Sequence, residues 1–326
     1  MLQIKLSGNP YEIPNKWEEL TQAQFIKVLD ALADFNRGEK TLNELRQLTF
    51  LICSGLSPRI YGSNRKNEQK AENIIMIGHH MTFMLRFGYE KQKTFARLKK
   101  ADKELLFRYH PFELEDSQAV RWAKRNKFTP VADMVFCKNM VPHIGRRRHK
   151  INGYQFNLTN GIFTSTLTAS QFIDAQTVAA RYIETADPAL LNMLVAILYP
   201  KRDYTSITAV KESEQLTWLD FEIKKAIFLN FQGIQEFLFT RTKYNLVFNP
   251  DKSSKTPTHK IGFEAVAYSL TRAGFGNVDE MNIVKFLDVL YTELVSTVQG
   301  LHQQKIPIDE ISKRTNLTLA RINEII

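Results

Sequence analysis

Cysteine is scarce in this chain of 326 residues: Cys53 and Cys137 are the only two. They stand in apolar surroundings (Phe50 to Ile52, and Val135-Phe136) and outside any C-x-x-C pair. That pattern reads as two buried free thiols in a reducing compartment, not as a disulfide framework. Long hydrophobic runs are lacking too. No apolar stretch approaches the ~18–20 residues that cross a bilayer. Met1-Leu2-Gln3-Ile4-Lys5 has no basic head, apolar core or small-residue cleavage site. The expectation is a cytoplasmic protein without a membrane partner.

Catalytic signatures are missing as well. The seven histidines, His79, His80, His110, His143, His149, His259 and His302, are scattered, and none has Cys, Asp or Glu at a metal-ligand spacing. His79 and His80 are adjacent, so their side chains diverge on a helix or a strand. There is no G-x-x-x-x-G-K-[ST] and no G-x-S-x-G. Gly274-Phe275-Gly276 lacks the third glycine and the preceding strand of a dinucleotide loop, and reads as a turn between helices. No enzyme class, metal or cofactor is expected.

What the chain does have is charge of one sign in one place. Its net charge is +10. Residues 86–150 hold 17 Lys and Arg against 7 Asp and Glu, an excess equal to the whole of that charge. Within this stretch lie Arg121, Lys124, Arg125 and Lys127, and then Arg146, Arg147, Arg148 and Lys150, with Lys138 between and Trp122 and Phe128 interleaved. Cations mixed with aromatics suit phosphate contact with base stacking, and equally suit an acidic protein partner. A second nucleic-acid cue is the C-terminus. Residues 308–326 have the cadence of a helix-turn-helix, "DEISKRT", Asn316, "TLARINEII". The second helix offers little beyond Arg321, Asn323 and Glu324 for reading bases, so a capped helical hairpin is the better description.

The chain also repeats itself. "LTQAQFI" at 20–26 returns as "LTASQFI" at 167–173. In each copy the threonine, Thr21 or Thr168, suits a helix N-cap, and the glutamine, Gln24 or Gln171, sits at the capping-box position. Phe25, Val28, Leu29, Leu32 and Phe35 follow the first cap at helical spacing. Phe172, Ile173, Ala175, Val178, Ala179 and Tyr182 follow the second. Each copy follows a hairpin: "LQIKL"–"YEIP" before the first, and "KINGYQFNL" with an Asn-Gly turn before the second. Each precedes another helix, from about Leu42 to Cys53 and from Pro188, capped by Asp187, to just before Pro200. "ALLNMLVAILYP" is too apolar for anything but a buried helix.

The expected fold is therefore mainly α with short β-hairpins. It comprises two related hairpin-plus-helices units at 1–55 and 150–248, a basic mixed segment at 56–149, a linker at 249–260 and a helical C-terminal part at 261–326. "SPRIYGSNRKNEQKAEN" reads as an exposed, turn-rich loop. "IIMIGHHMTFMLRF" fits a strand followed by either a strand or a helix. The stretch from Thr217 to about Tyr244 reads as one long helix or two, capped by Thr217.

Taken together, "IPNKWEELTQAQF", "FCKNMVPHI", "LTASQFIDAQTVAARYIETADPALLNMLVAILYP", "AIFLNFQGIQEFLF" and "GFEAVAYSLTRAGFGNVDEMN" resemble a loosely defined group of proteins from tailed phages and prophages of Bacteroidetes. The group's pattern is Ile-Pro…Trp…Leu-Thr, then Lys-Asn-hydrophobic-Pro, a Leu-Thr-x-x-Gln/Glu-Phe helix, and a Leu-Tyr-Pro ending. Here Pro200 is followed by Lys201-Arg202-Asp203-Tyr204. The resemblance covers most of the chain. It implies a morphogenesis protein similar in flavour to tail-assembly chaperones, working in the host cell or carried in the virion. The implied partners are phage structural or assembly proteins, such as a tape-measure or tail component. It supplies no catalytic residue.

Overall fold

The computed structural model describes residues 1–6, 9–56, 65–78, 80–89, 128–145, 150–159, 162–244, 286–315 and 317–326. The protein is mainly α-helical with short antiparallel strand pairs. No described helix is long and apolar enough to cross a membrane. The chain divides into two compact units, Met1–Met134 and Val135–Ile326, so the segment 56–149 is shared between them. The linker 249–260 and the Gly274 turn lie outside the described residues.

In the first unit, β1 (Leu2–Leu6) pairs antiparallel with β2 (Asn9–Ile13). Trp17 then turns inward. Its indole N–H donates to the Asp133 carbonyl at 2.7 Å, and its ring meets the edges of Phe25 and Phe83 at 5.9 and 5.2 Å. Helix α1 (Gln22–Asn36) opens on a complete capping box at Thr21 and Gln24 and buries Phe25, Val28, Leu29 and Leu32. Helix α2 (Leu42–Ser54) has its own box, Thr41 with Glu44, and ends at Gly55, whose φ of 70° no β-carbon would favour. Helix α3 (Arg65–Gly78) packs on α2. Strands β3 (Leu85–Tyr89) and β4 (Phe128–Ala132) then pair antiparallel.

The polar stretch expected to be a loop therefore becomes helix from Arg65, and "IIMIG" is its last turn. Arg, Lys, Gln, Glu and Ala are good helix formers without an apolar face to advertise it. Cys53 is buried as expected, whereas Cys137 is half-exposed.

The second unit opens with an irregular stretch, 135–142, followed by two small hairpins. β5 (His143–Ile144) pairs with β6 (Ile151–Asn152), and β7 (Phe156–Thr159) pairs with β8 (Ile162–Ser165). The expected hairpin through Asn152-Gly153 does not form. Those residues leave β6, and the hairpin before the helix is β7–β8. Helices α4 (Ala169–Thr185), α5 (Pro188–Leu198) and α6 (Ser206–Glu214) follow, and then α7 (Phe221–Arg241). Asp220, not Thr217, precedes α7. Thr217 lies in a 3-10 turn, Gln215–Trp218, that Leu216 and Leu219 pin to the core. Helix α8 (Phe286–Gln303) docks beside the start of α4: Phe286 stacks on Phe172 at 4.6 Å, and its N–H donates to the Leu167 carbonyl at 3.2 Å. α9 (Ile308–Thr315) and α10 (Leu319–Ile325) pack on α8.

The repeated frame does the same work twice. Thr21 and Thr168 cap their helices, and the box glutamines accept the N–H of those threonines at 2.9 and 3.1 Å. Each glutamine's amide nitrogen is then spent across the unit. Gln24 donates to the Cys53 carbonyl at 3.0 Å, and Gln171 to the Ile197 carbonyl at 3.1 Å. One side chain thus satisfies a donor at the start of one helix and an acceptor at the end of the next. Phe25 and Phe172, which follow, are fully buried. In both units the third helix packs on the second.

Replacing Gln171 with alanine removes a cap partner and orphans the Ile197 carbonyl. The expected loss is about 1–3 kcal/mol in urea-induced unfolding. Gln171→Leu, which keeps the bulk, should lose a similar amount. A Leu variant as stable as the parent would show that the cross-unit bond contributes nothing.

Candidate functional site

Of the residues singled out for phosphate or acidic-partner contact, Arg121, Lys124, Arg125, Lys127, Arg146, Arg147 and Arg148 lie outside the described residues, as does Trp122. Lys150 is exposed beside β6. His143, paired with Asn152 across that hairpin, is held below the usual imidazole range by partial burial and then by the Lys150 charge. Lys138 sits half-buried with its carbonyl accepting from Asn230 at 3.2 Å.

The C-terminal helix pair forms as expected, with Thr318 capping α10. Arg321, the cation best placed to read a base, is engaged within the unit. It donates to the Tyr291 hydroxyl at 2.5 Å and pairs with Glu324. Among the described residues no group of three or more His, Cys, Asp or Glu could hold a metal ion.

The resemblance-bearing motifs converge on one buried clasp. The stretch 135–142 has neither helix nor strand, yet Phe136, Met140 and Val141 are buried. Its backbone must therefore find partners outside regular structure. Asn139 supplies two: its amide N–H donates to the Tyr154 carbonyl at 2.7 Å, and its carbonyl accepts the Val141 N–H at 2.9 Å. Asn230, buried in α7, accepts the Met140 N–H at 3.0 Å. Tyr199, in the Leu-Tyr-Pro ending, donates its hydroxyl to the Val141 carbonyl, and burial pushes its phenol well above the ordinary range. Gly153 is required by this ring. A β-carbon there would stand 2.2 Å from a Tyr199 ring carbon. These residues hold structure, and none is free for chemistry.

Beside the clasp lies a crevice of about 680 Å³ between the first turn of α4 and the loop that leads into α6. Its hydroxyls are already committed. Thr166 accepts the Gln155 N–H at 2.9 Å, Thr168 caps α4, and Thr205 accepts the Thr208 N–H at 3.1 Å. Tyr204 donates to Asp174 on α4, and Ser206 donates to the same carboxylate oxygen at 2.8 Å. Burial first, and then the Asp174 contact, pushes the Tyr204 phenol upward. The lining holds no histidine and no cysteine, and its charged groups are Arg202 and Asp203. It offers polar contact and no nucleophile beside a base.

The feature missed by sequence reasoning is an exposed apolar face. Ile207 is 73% exposed and Val210 48%, one turn apart on α6. Trp218 at 53% and Phe221 at 47% follow where the 3-10 turn enters α7. The signal lay in "SITAVKESE", where Ala209 and Ser213 face the core and Ile207 and Val210 do not.

Two outcomes follow. Asn139→Ala strips two buried backbone groups of their partners and should cost about 2–5 kcal/mol in chemical unfolding, taking each orphaned group at about 1–3 kcal/mol. Little change would show that the clasp is dispensable. Burial also pushes the Cys53 thiol up to about 12, so at pH 8 it stays protonated and shielded. An aromatic disulfide reagent should titrate Cys137 alone in the native protein and both thiols in denaturant; rapid native reaction of Cys53 would contradict its burial.

Compared with known proteins, the chain matches no family model, no curated protein and no solved structure.

Proposed function

We propose that this is a non-enzymatic virion-assembly protein of a tailed phage or prophage that acts by binding a partner chain through the α6–α7 face. The observation that carries the binding reading is the exposure of Ile207, Val210, Trp218 and Phe221 together. A soluble surface leaves single apolar residues exposed, but an apolar helix turn followed by two large aromatics is costly without a partner. Aromatic anchors of this kind dominate binding energy at protein interfaces. The commitment of Tyr199, Asn139, Asn230 and Asp174 to the fold agrees with a protein that performs no chemistry.

The phage assignment comes from the resemblance of the Ile-Pro…Trp, Lys-Asn-hydrophobic-Pro and Leu-Tyr-Pro segments. Their residues build the scaffold, so they support shared architecture first and shared role through it. On this reading the partner is a tape-measure or other tail component, met in the bacterial cytoplasm and carried, or not, into the virion. DNA reading by the C-terminal helices finds less support, because Arg321 is held by Tyr291 and Glu324.

The test is co-elution in size-exclusion chromatography with the tape-measure or tail-tube protein encoded beside it. The parent should bind. A variant carrying Ile207→Ser, Val210→Ser, Trp218→Ser and Phe221→Ser should keep its circular dichroism and lose at least about tenfold in affinity. A quadruple variant that binds as well as the parent ends the reading.

A further inference from the structure

The exposed face has a charge as well as an apolar content. Between Ile207 and Glu222 the chain carries four carboxylates, Glu212, Glu214, Asp220 and Glu222, against one cation, Lys211. Glu214, Asp220 and Glu222 are exposed. Glu212 is half-buried and turned toward the backbone N–H of Lys201 at 3.3 Å. Of the two lysines that follow, Lys224 is buried and Lys225 half-buried. An acidic rim thus surrounds the apolar anchors in a protein whose net charge is +10.

We propose that the segment seated on this face is an amphipathic helix whose apolar anchors are flanked by lysine or arginine. The proposal rests on the reading of the face as a partner-binding surface and names the chemistry of what binds. Ile207 and Val210, one turn apart, form the kind of ridge that packs into the groove of another helix. Trp218 and Phe221 supply flat area with few rotatable bonds to freeze. The carboxylates select the sign: a basic flank gains attraction and a faster encounter, and an acidic one meets like charge at every approach. Because the rim is exposed, this selectivity weakens as salt rises.

The experiment uses the full chain and two fluorescein-labelled model helices, one of leucine and lysine at helical spacing and one with glutamate in place of every lysine. Binding is followed by fluorescence anisotropy at low and at physiological ionic strength. The leucine–lysine helix should bind at least about tenfold tighter than its glutamate twin at low salt, with the gap narrowing as salt rises. Glu214→Gln with Asp220→Asn and Glu222→Gln should abolish the preference. Ile207→Ser with Val210→Ser and Phe221→Ser should weaken binding of the lysine helix by a comparable factor. All these substitutions sit on exposed positions, so the circular dichroism spectrum should not move.

Equal affinity for both helices overturns the proposal. So does tight lysine-helix binding that survives the apolar substitutions, because the site would then lie elsewhere. Concentration-dependent self-association lost in the apolar variant would likewise overturn it, by assigning the face to a second copy of this chain. If neither helix binds while the tail component still co-elutes with the parent and not with the quadruple serine variant, the inference fails and the assembly reading stands.

Discussion

A backbone that crosses a protein interior outside helix or strand must have its amides and carbonyls paired one at a time, and the second unit is organised around meeting that demand. The stretch 135–142 runs among Phe136, Met140 and Val141, all buried. Asn139, Asn230 and Tyr199 meet its needs from three separate parts of the chain. Each brings its own element with it. Asn230 fixes α7, Tyr199 fixes the end of α5, and Asn139 fixes the loop leaving β6 through Tyr154. The Gly153 N–H donates to the Pro142 carbonyl at 3.0 Å, and the Tyr154 N–H donates to the Leu198 carbonyl at 3.0 Å, closing the same ring of contacts. Buried polar networks of this type help specify one arrangement because a half-made version is worse than none.

The aromatic core grows outward from this clasp. Tyr154 meets the edge of Phe231, Phe231 meets Phe172, and Phe172 stacks on Phe286. A hydrogen-bonded centre and an apolar chain of rings thus connect the irregular stretch, the capped helix α4 and the C-terminal helices. The first unit solves its packing differently. Trp17 is its hub, joining α1 through Phe25 to the strand pair through the Asp133 carbonyl.

What the sequence disclosed was local, and what it concealed was distant. Thr21, Thr41, Thr168 and Asp187 were legible as caps because their partners lie within three residues. The mainly helical class followed from apolar spacing in α1, α2, α4 and α5. The second bond of Gln24 and Gln171 was not legible, since its acceptor lies 29 and 26 residues away. Nor was the partnership of Asn139 with Asn230, which depends on a tertiary approach that no spacing announces. Gly153 was read as a turn residue, whereas its role is to clear the Tyr199 ring. The helical start of α3 hid behind polar residues that shape no apolar face. The basic candidates were legible as composition, but the apolar face on α6 emerged only from knowing which side of a short helix meets the core.

The two glutamine bridges have a consequence for how this architecture tolerates change in length. Because each fastens the beginning of one helix to the close of the next, the connection between those helices is relieved of setting their geometry. The two copies differ there: residues 37–41 join α1 to α2, whereas only 186–187 join α4 to α5. An arch closed by its own keystone leaves the span beneath it free. In this protein that span is the natural place for sequence to be inserted, by evolution or by a protein engineer, without disturbing the frame around it.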